Sequence, residues 1–323
     1  MTRMTFAEAA RRALAEEMRR DPLVWALGED LVQGGIFGQY KGLAEEFGTD
    51  RIVSTPISES TIMGAGLGAA LCGTRPVVEM RIADFTLCAM DELVSQIAKV
   101  RYMFGGQGRA ALVVRMPQGM WRNSAAQHSQ CLEAWLTHIP GLVVAAPGTP
   151  ADAAGLLKSA VRSDDPVVLM EPKNLWTAEG EVMEEIAPIP FGVARHAAQG
   201  DALTVVTWSA MVPVVEQAAR ESGIACDVFD LRSLWPWDEA AVIASARRTG
   251  RLLVVHEAVT VSGFGAEVVA RVVEALGPGG LRAVERLGSP RAPVPFSPPL
   301  EDSIRLSPAR VADAIRRVAA VGA

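Results

Sequence analysis

Cysteine and histidine are scarce in this 323-residue chain, with four of each. Cys72, Cys88, Cys131 and Cys226 lie far apart and form no Cys-x-x-Cys pair. That spacing argues against a disulfide framework or a zinc site and for small buried hydrophobes. Basic residues are outnumbered, 31 Lys and Arg against 37 Asp and Glu. The resulting formal charge of −6 disfavours nucleic acid or an anionic membrane as the main partner. No apolar run is long enough to predict a spanning helix.

What is present is globular. Half the residues are hydrophobic and 21% charged, enough for a large core. The length exceeds what one core usually organises, so two domains are expected. A positive mean hydropathy suggests further surface buried in an oligomer. The opening segment TFAEAARRALAEEMRRD carries acids throughout and a Thr5 to Glu8 capping box. It reads as an amphipathic helix of the mature protein rather than a leader, which implies a cytoplasmic location.

Short apolar runs then alternate with helical segments: VWALGED, RIVST, PVVEMRI, AALVVRMP, LVVAAP and DDPVVLMEP. This is the pattern of a doubly wound, mostly parallel α/β sheet. A continuous helix is expected over FTLCAMDELVSQIAKVRYMFGG. Composition shifts to acids, prolines and isolated apolar residues after Trp176, so residues 1–180 form one domain, 181–199 a linker, and 200–323 a second, smaller α/β domain. The proline-rich SPRAPVPFSPPLED is expected to run extended before a last helix.

The stretch from Val53 to Ala70, VSTPISESTIMGAGLGAA, carries one acid where a loop becomes a helix. Glu59 is either a first-turn charge complementing the helix dipole, with Ser58 as N-cap, or a functional carboxylate. The glycines that follow cost helix stability, about 1 kcal/mol each relative to alanine, so close approach of another body is expected at Gly64, Gly66 and Gly68. They sit inside the helix rather than in the turn, which argues against a dinucleotide fingerprint.

His128, flanked by Gln127 and Ser129-Gln130, is either a satisfied structural histidine or an imidazole held in one tautomer for catalysis. Arg81 falls in a run that otherwise reads as core. It is neutralised by Glu79 or Asp84, or meets an anionic substrate group. Trp121 and Arg122 stand in the same loop as His128.

GED (28–30), GGIFG with KGL (34–43), TPISES (55–60), the GAGLGAAL helix, ADF (83–85), AKVRYMFGGQ (98–107), AAQHSQ (125–130), HIPGLVV (138–144), DDPVVLMEPKNLW (164–176) and SGFGAE (262–267) occur in that order. Together they closely resemble the β subunits of thiamine-diphosphate-dependent 2-oxo acid dehydrogenase E1 components, which include pyruvate, branched-chain 2-oxo acid and acetoin dehydrogenases. The resemblance implies a pyrimidine-binding α/β domain followed by a transketolase C-terminal-like domain. It also implies an α2β2 heterotetramer whose α subunit holds Mg²⁺ and the diphosphate through a GDG…N motif that this sequence lacks.

By the same resemblance, Glu59 hydrogen-bonds N1′ of the aminopyrimidine, Ile57 and Phe85 contact that ring, and His128 assists acyl transfer to a lipoyl group on an E2 partner. Backbone carbonyls of Leu112, Ala160, Val161, Ser163 and Asp165 map onto a K⁺ site found in some relatives. Many relatives carry a hydrophobic residue at the position of Arg81 and a glycine-rich segment in place of QGMWRNS. Arg81, Trp121, Arg122 and Gln127 are therefore expected to shape a substrate pocket for a small 2-oxo acid or acyloin. A non-oxidative split-subunit decarboxylase or synthase, and a catalytically silent β-like subunit, are the alternatives.

Overall fold

The computed structural model describes residues 1–322. Its strands are β1 (Thr2–Thr5), β2 (Val24–Gly28), β3 (Ile52–Ser54), β4 (Arg75–Glu79), β5 (Val113–Gln118), β6 (Val143–Ala145), β7 (Val167–Pro172), β8 (Glu179–Val182), β9 (Arg195–Ala198), β10 (Leu203–Thr207), β11 (Cys226–Asp230), β12 (Ser233–Trp235), β13 (Arg251–Val259) and β14 (Ala283–Ser289). A seven-stranded sheet runs in the order β12-β6-β7-β5-β4-β2-β3, and a five-stranded sheet in the order β14-β13-β10-β11-β9. Both are parallel except for one antiparallel edge strand each, β12 against β6 and β9 against β11. The α/β class expected from the alternating runs is the one observed.

Side-chain alternation along the strands sorts the core into layers. Val77, Val113, Val167 and Leu169 point to one face, where they meet Phe6, Leu14 and Met18 of the helix Phe6–Arg20 and Leu156 and Leu157 of the helix Pro150–Arg162. Their neighbours Val78, Val114, Val168 and Met170 point to the other face. That face shares one cluster with Trp208, Leu234, Trp237 and Phe264 of the second half. The two sheets thus pack around a common core, and a third cluster covers the outer face of the second sheet with the helices Val212–Ser222 and Pro308–Ala319.

Several local expectations change. Thr5 and Glu8 do form a reciprocal capping box. Ser58 occupies the N-cap position of the helix Glu59–Leu71 without capping it, because its hydroxyl donates to Pro56 O at 3.0 Å. The long helix expected after Phe85 is broken into a 3₁₀ segment (Ala83–Ala89), a π-wound segment (Asp91–Ile97) and a short α turn (Val100–Met103). Such irregular winding is found preferentially at functional sites. The proline-rich tail turns helical at Pro298–Ile304, where two prolines sit in the first turn and need no amide hydrogen.

The segment 181–199 includes the end of β8, which pairs with β1, and all of β9, which belongs to the second sheet. Of the three helix glycines, Gly66 is explained within the chain, since a Cβ there would lie 2.5 Å from Val78 Cγ2. Gly64 is half-buried, where a Cβ would touch Glu92 Cγ at 3.9 Å, whereas Gly68 is exposed and a Cβ there would meet nothing within 4 Å.

Candidate active site

Open parallel sheets bind ligands outside the carboxyl ends of their strands, where the chain reverses its direction of winding. Here that point lies between β2 and β4: from β2 the chain goes outward to β3, then returns to add β4 and β5 on the other side. The segments leaving β2, β3, β4 and β5 carry Glu29, Glu59, Arg81 with Phe85, and His128 respectively. Residues scattered over a hundred positions converge on one sheet edge.

Glu59 opens the helix Glu59–Leu71 and is half-buried. Its neighbours' hydroxyls are engaged elsewhere, Ser58 with Pro56 O and Ser60 with Glu92. Among the described residues, no hydrogen bond or ion pair holds the Glu59 carboxylate itself. Ile57 presents its side chain to the surface, 77% exposed, and nearby Thr55 Oγ1 is buried without a partner. An unused carboxylate, an uncovered apolar side chain and an orphaned hydroxyl suit a flat, partly polar ring.

On the segments that follow β4 and β5, the rings of Phe85 and His128 are 5.3 Å apart and inclined at 83°. His128 sits on a short 3₁₀ turn, Ala126–His128. Its backbone oxygen accepts from the Lys173 ammonium, and Gln130 Nε2 donates to Asp84 Oδ1 at 2.7 Å. The amides flanking the imidazole do not lock its tautomer as expected: Gln127 is exposed and Gln130 is spent on Asp84.

Arg81 is not neutralised by Glu79 or Asp84. It pairs with Asp30 at 2.6 Å and Glu29 at 3.3 Å, because β4 ends at Glu79 and the chain bends so that Arg81 meets the loop leaving β2. Glu79 instead accepts from Tyr40 Oη at 2.8 Å and lies 3.7 Å from Arg115, whose guanidinium makes a two-pronged pair with Glu171 at 2.8 Å. Burial raises the Glu29 carboxyl, Arg81 opposes that rise, and the negative Glu59 adds to it. Trp121 packs edge-on against Phe37 at 4.8 Å, and Phe37 in turn against Trp176 at 3.9 Å. Arg122 lies over the Trp121 ring at 5.1 Å and remains exposed.

The five carbonyl-bearing residues lie elsewhere, around the turn between the helix Pro150–Arg162 and β7. Val161 O and Ser163 O both accept from Arg75 Nη1, at 3.1 and 2.9 Å. Leu112 O, Ala160 O and Asp165 O accept from Val167 N, Ser163 N and Ser163 Oγ. Each oxygen keeps a second lone pair, but a cation reaching all five would contend with the Arg75 guanidinium for two of them.

Residues 2–178 match the family model described as transketolase, pyrimidine binding domain, and residues 192–311 match transketolase, C-terminal domain. The chain is 43% identical to the acetoin:2,6-dichlorophenolindophenol oxidoreductase subunit beta of Cupriavidus necator, over 96% of this chain and 95% of that one. It is 38% identical to the 2-oxoisovalerate dehydrogenase subunit beta of Bacillus subtilis, over 99% of each. It belongs to the E1 β-subunit family. A solved structure titled split gene transketolase, inactive beta4 tetramer, superposes over 99% of both chains with a TM-score of 0.81 and 22% identity, a likeness of fold alone.

Membership in the E1 β-subunit family agrees with the motifs in sequence order and leaves three site residues that sequence reading passed over. Glu29 stands one residue past the end of β2, a placement that itself marks a site-facing position. Lys173 and Asp84 brace the His128 turn from β7 and β4, and their roles had no local signal, since each depends on which strands are neighbours.

Proposed function

We propose that this chain is the β subunit of a thiamine-diphosphate-dependent E1 enzyme that cleaves a small 2-oxo compound, by oxidative decarboxylation of a 2-oxo acid or by cleavage of acetoin. The observation that carries the reading is the Glu59 carboxylate, left without a partner at the winding-reversal edge of the sheet, the same edge that carries the Phe85–His128 pair. Thiamine diphosphate, when bound, supplies an electron sink for breaking the bond beside a carbonyl. Glu59 holds a proton toward N1′ of its aminopyrimidine, while Ile57 and Phe85 enclose the ring and exclude water. His128, within a polar loop, donates a proton or hydrogen bond during acyl transfer to an acceptor such as a lipoyl group on an E2 partner.

Arg81, Trp121, Arg122 and Gln127 form the mouth through which substrate enters. Of the two arginines, Arg81 is already balanced by Glu29 and Asp30, so Arg122 is the better placed to meet a substrate anion. An α subunit in an α2β2 assembly supplies Mg²⁺ and the diphosphate site. A K⁺ at the Leu112, Ala160, Val161, Ser163 and Asp165 carbonyls is compatible with this reading only if Arg75 Nη1 gives way. A cytoplasmic location accords with the absence, among the described residues, of any helix long and apolar enough to cross a membrane.

Co-expression with the α subunit, followed by cofactor-dependent turnover of pyruvate, branched 2-oxo acids and acetoin with an artificial electron acceptor, tests the proposal. Turnover that requires both chains and the cofactor supports it. A purified complex that binds the cofactor but acts on none of these would favour the non-oxidative alternative, and one that binds no cofactor would favour a silent subunit.

A further inference from the structure

The loop Gly119–Cys131 carries Trp121, Arg122, Gln127 and His128, and its two ends meet: Gly119 N donates to Gln130 O at 3.3 Å. Both ends also converge on one carboxyl group of the second domain. Glu257, on β13, accepts from Met120 N at 3.0 Å through Oε1, and Cys131 Sγ lies 3.7 Å from Oε2. Gly119 has φ +84°, and a Cβ there would collide with Oε2, so the loop root is shaped to receive this side chain. Within the loop, Arg122, Asn123 and Ala125 hold positive φ of 45°, 60° and 59°. Asn enters that region readily, but Arg and Ala do so rarely.

The two ends of the loop are held from two directions. Lys173 and Asp84 hold the His128 end from the first domain, and Glu257 holds the root from the second. The groups whose charges bear on Glu257 are Arg305, Glu133, Cys131 and Lys173. None of them forms an ion pair with it among the described residues, and Glu257 lines a cavity of about 40 Å³. Its carboxyl is therefore free to serve the loop.

We propose that Glu257 is a positioning residue: by gripping both ends of the Gly119–Cys131 loop from the second domain, it sets where His128 stands relative to Phe85. A carboxyl suits this task because one rigid group offers two acceptors, one to each end of the loop. The inference rests on His128 acting in turnover, and it gives the second domain a role in chemistry carried out at the edge of the first sheet.

The test uses the complete complex with its α subunit and compares Glu257→Ala, Glu257→Gln, Glu257→Asp, His128→Ala and the Glu257→Ala/His128→Ala double variant. Glu257→Ala is expected to lower kcat at least tenfold, with KM and cofactor affinity within twofold of the parent. Gln, which keeps an acceptor for Met120 N, should restore most of the loss, and Asp, one methylene short, should fall between. In the double variant, Glu257→Ala should cost nothing beyond His128→Ala, since two residues acting through one another are not additive. Parent-like turnover in Glu257→Ala, or independent multiplication of the two losses, would overturn the inference alone. If Glu257→Ala does not assemble, unchanged kcat in Glu257→Asp overturns it. Full activity in His128→Ala would sink the role of His128, and with it this inference.

Discussion

The rings of Phe85 and His128 meet nearly at right angles, 83°, with centroids 5.3 Å apart. One follows β4 and the other β5, so adjacent parallel strands aim an aromatic and an imidazole at the same space. Removing the ring while keeping bulk, Phe85→Leu, is expected to weaken thiamine diphosphate binding about tenfold, equivalent to about 1.4 kcal/mol. Titration of the cofactor into the purified complex reads this out. Unchanged affinity would place Phe85 outside the cofactor contact.

Glu59→Gln keeps size and helix geometry but removes the acid. Turnover should fall by roughly 10²- to 10⁴-fold, the range for a lost acid-base group, with subunit assembly intact by size-exclusion chromatography. A variant retaining a tenth of parental activity would refute the acid-base assignment. Loss of a mere first-turn charge would instead cost under about 1 kcal/mol of stability and leave rate unaffected.

Arg81 opposes the rise of the Glu29 carboxyl. Arg81→Gln should therefore push that carboxyl further up and move any acid limb of the pH–rate profile that reflects Glu29 toward higher pH. Charge reversal, Arg81→Glu, sets three acids side by side and should alter both substrate profile and cofactor affinity. If neither changes, Arg81 has no part in the pocket.

Arg75 binds two of the five oxygens proposed for K⁺ and also pairs with Asp164 at 2.8 Å. Arg75→Ala should destabilise the chain by about 2 kcal/mol, through lost charge-assisted hydrogen bonds. Because the vacated oxygens then face no competing cation, K⁺ should recover part of the loss and Na⁺ less, as read by thermal melts in the two salts. Equal melting in both would remove the K⁺ proposal.

Burial pushes the Glu257 carboxyl up to about 7. A raised carboxyl favours the folded state fully below its ordinary range near 4.5, and that contribution disappears as pH climbs through about 7. Glu257→Gln stays neutral throughout. Relative to the parent it should gain stability as pH rises from about 4.5 to about 7 and keep that gain above, by roughly 2 kcal/mol after allowing for partial solvent screening. A pH-independent difference between the two proteins would show that Glu257 does not titrate in this window.

Most of the first sheet was legible because its strands are buried on both faces and read as runs such as Val113-Val114 and Val167-Val168, and because Thr5 and Glu8 announce a helix start by themselves. Glu59 stood out since one acid beside small residues breaks the local pattern. What escaped depends on neighbours far away in the chain. That Arg81 finds Glu29 and Asp30 rather than Glu79 follows from β4 lying beside β2, and the wide winding at Asp91–Ile97 breaks a segment whose composition favours an ordinary helix. The grip of Glu257 on Met120 joins residues 137 apart, and no local spacing could signal it.

The strand Ser233–Trp235 leaves the second half of the chain to finish the edge of the first sheet beside Val143–Ala145. A gene cut at residues 181–199 would hand each product an unfinished piece: an upstream fragment with a bare sheet edge, and a downstream one with a dangling strand. Chimaeras assembled from two relatives at that junction inherit the mismatch as well, since the edge from one parent must be sealed by a strand from the other. The natural seam for recombination therefore does not coincide with the change in composition. Shuffled halves should express well only when Ser233–Trp235 and Val143–Ala145 travel from the same ancestor.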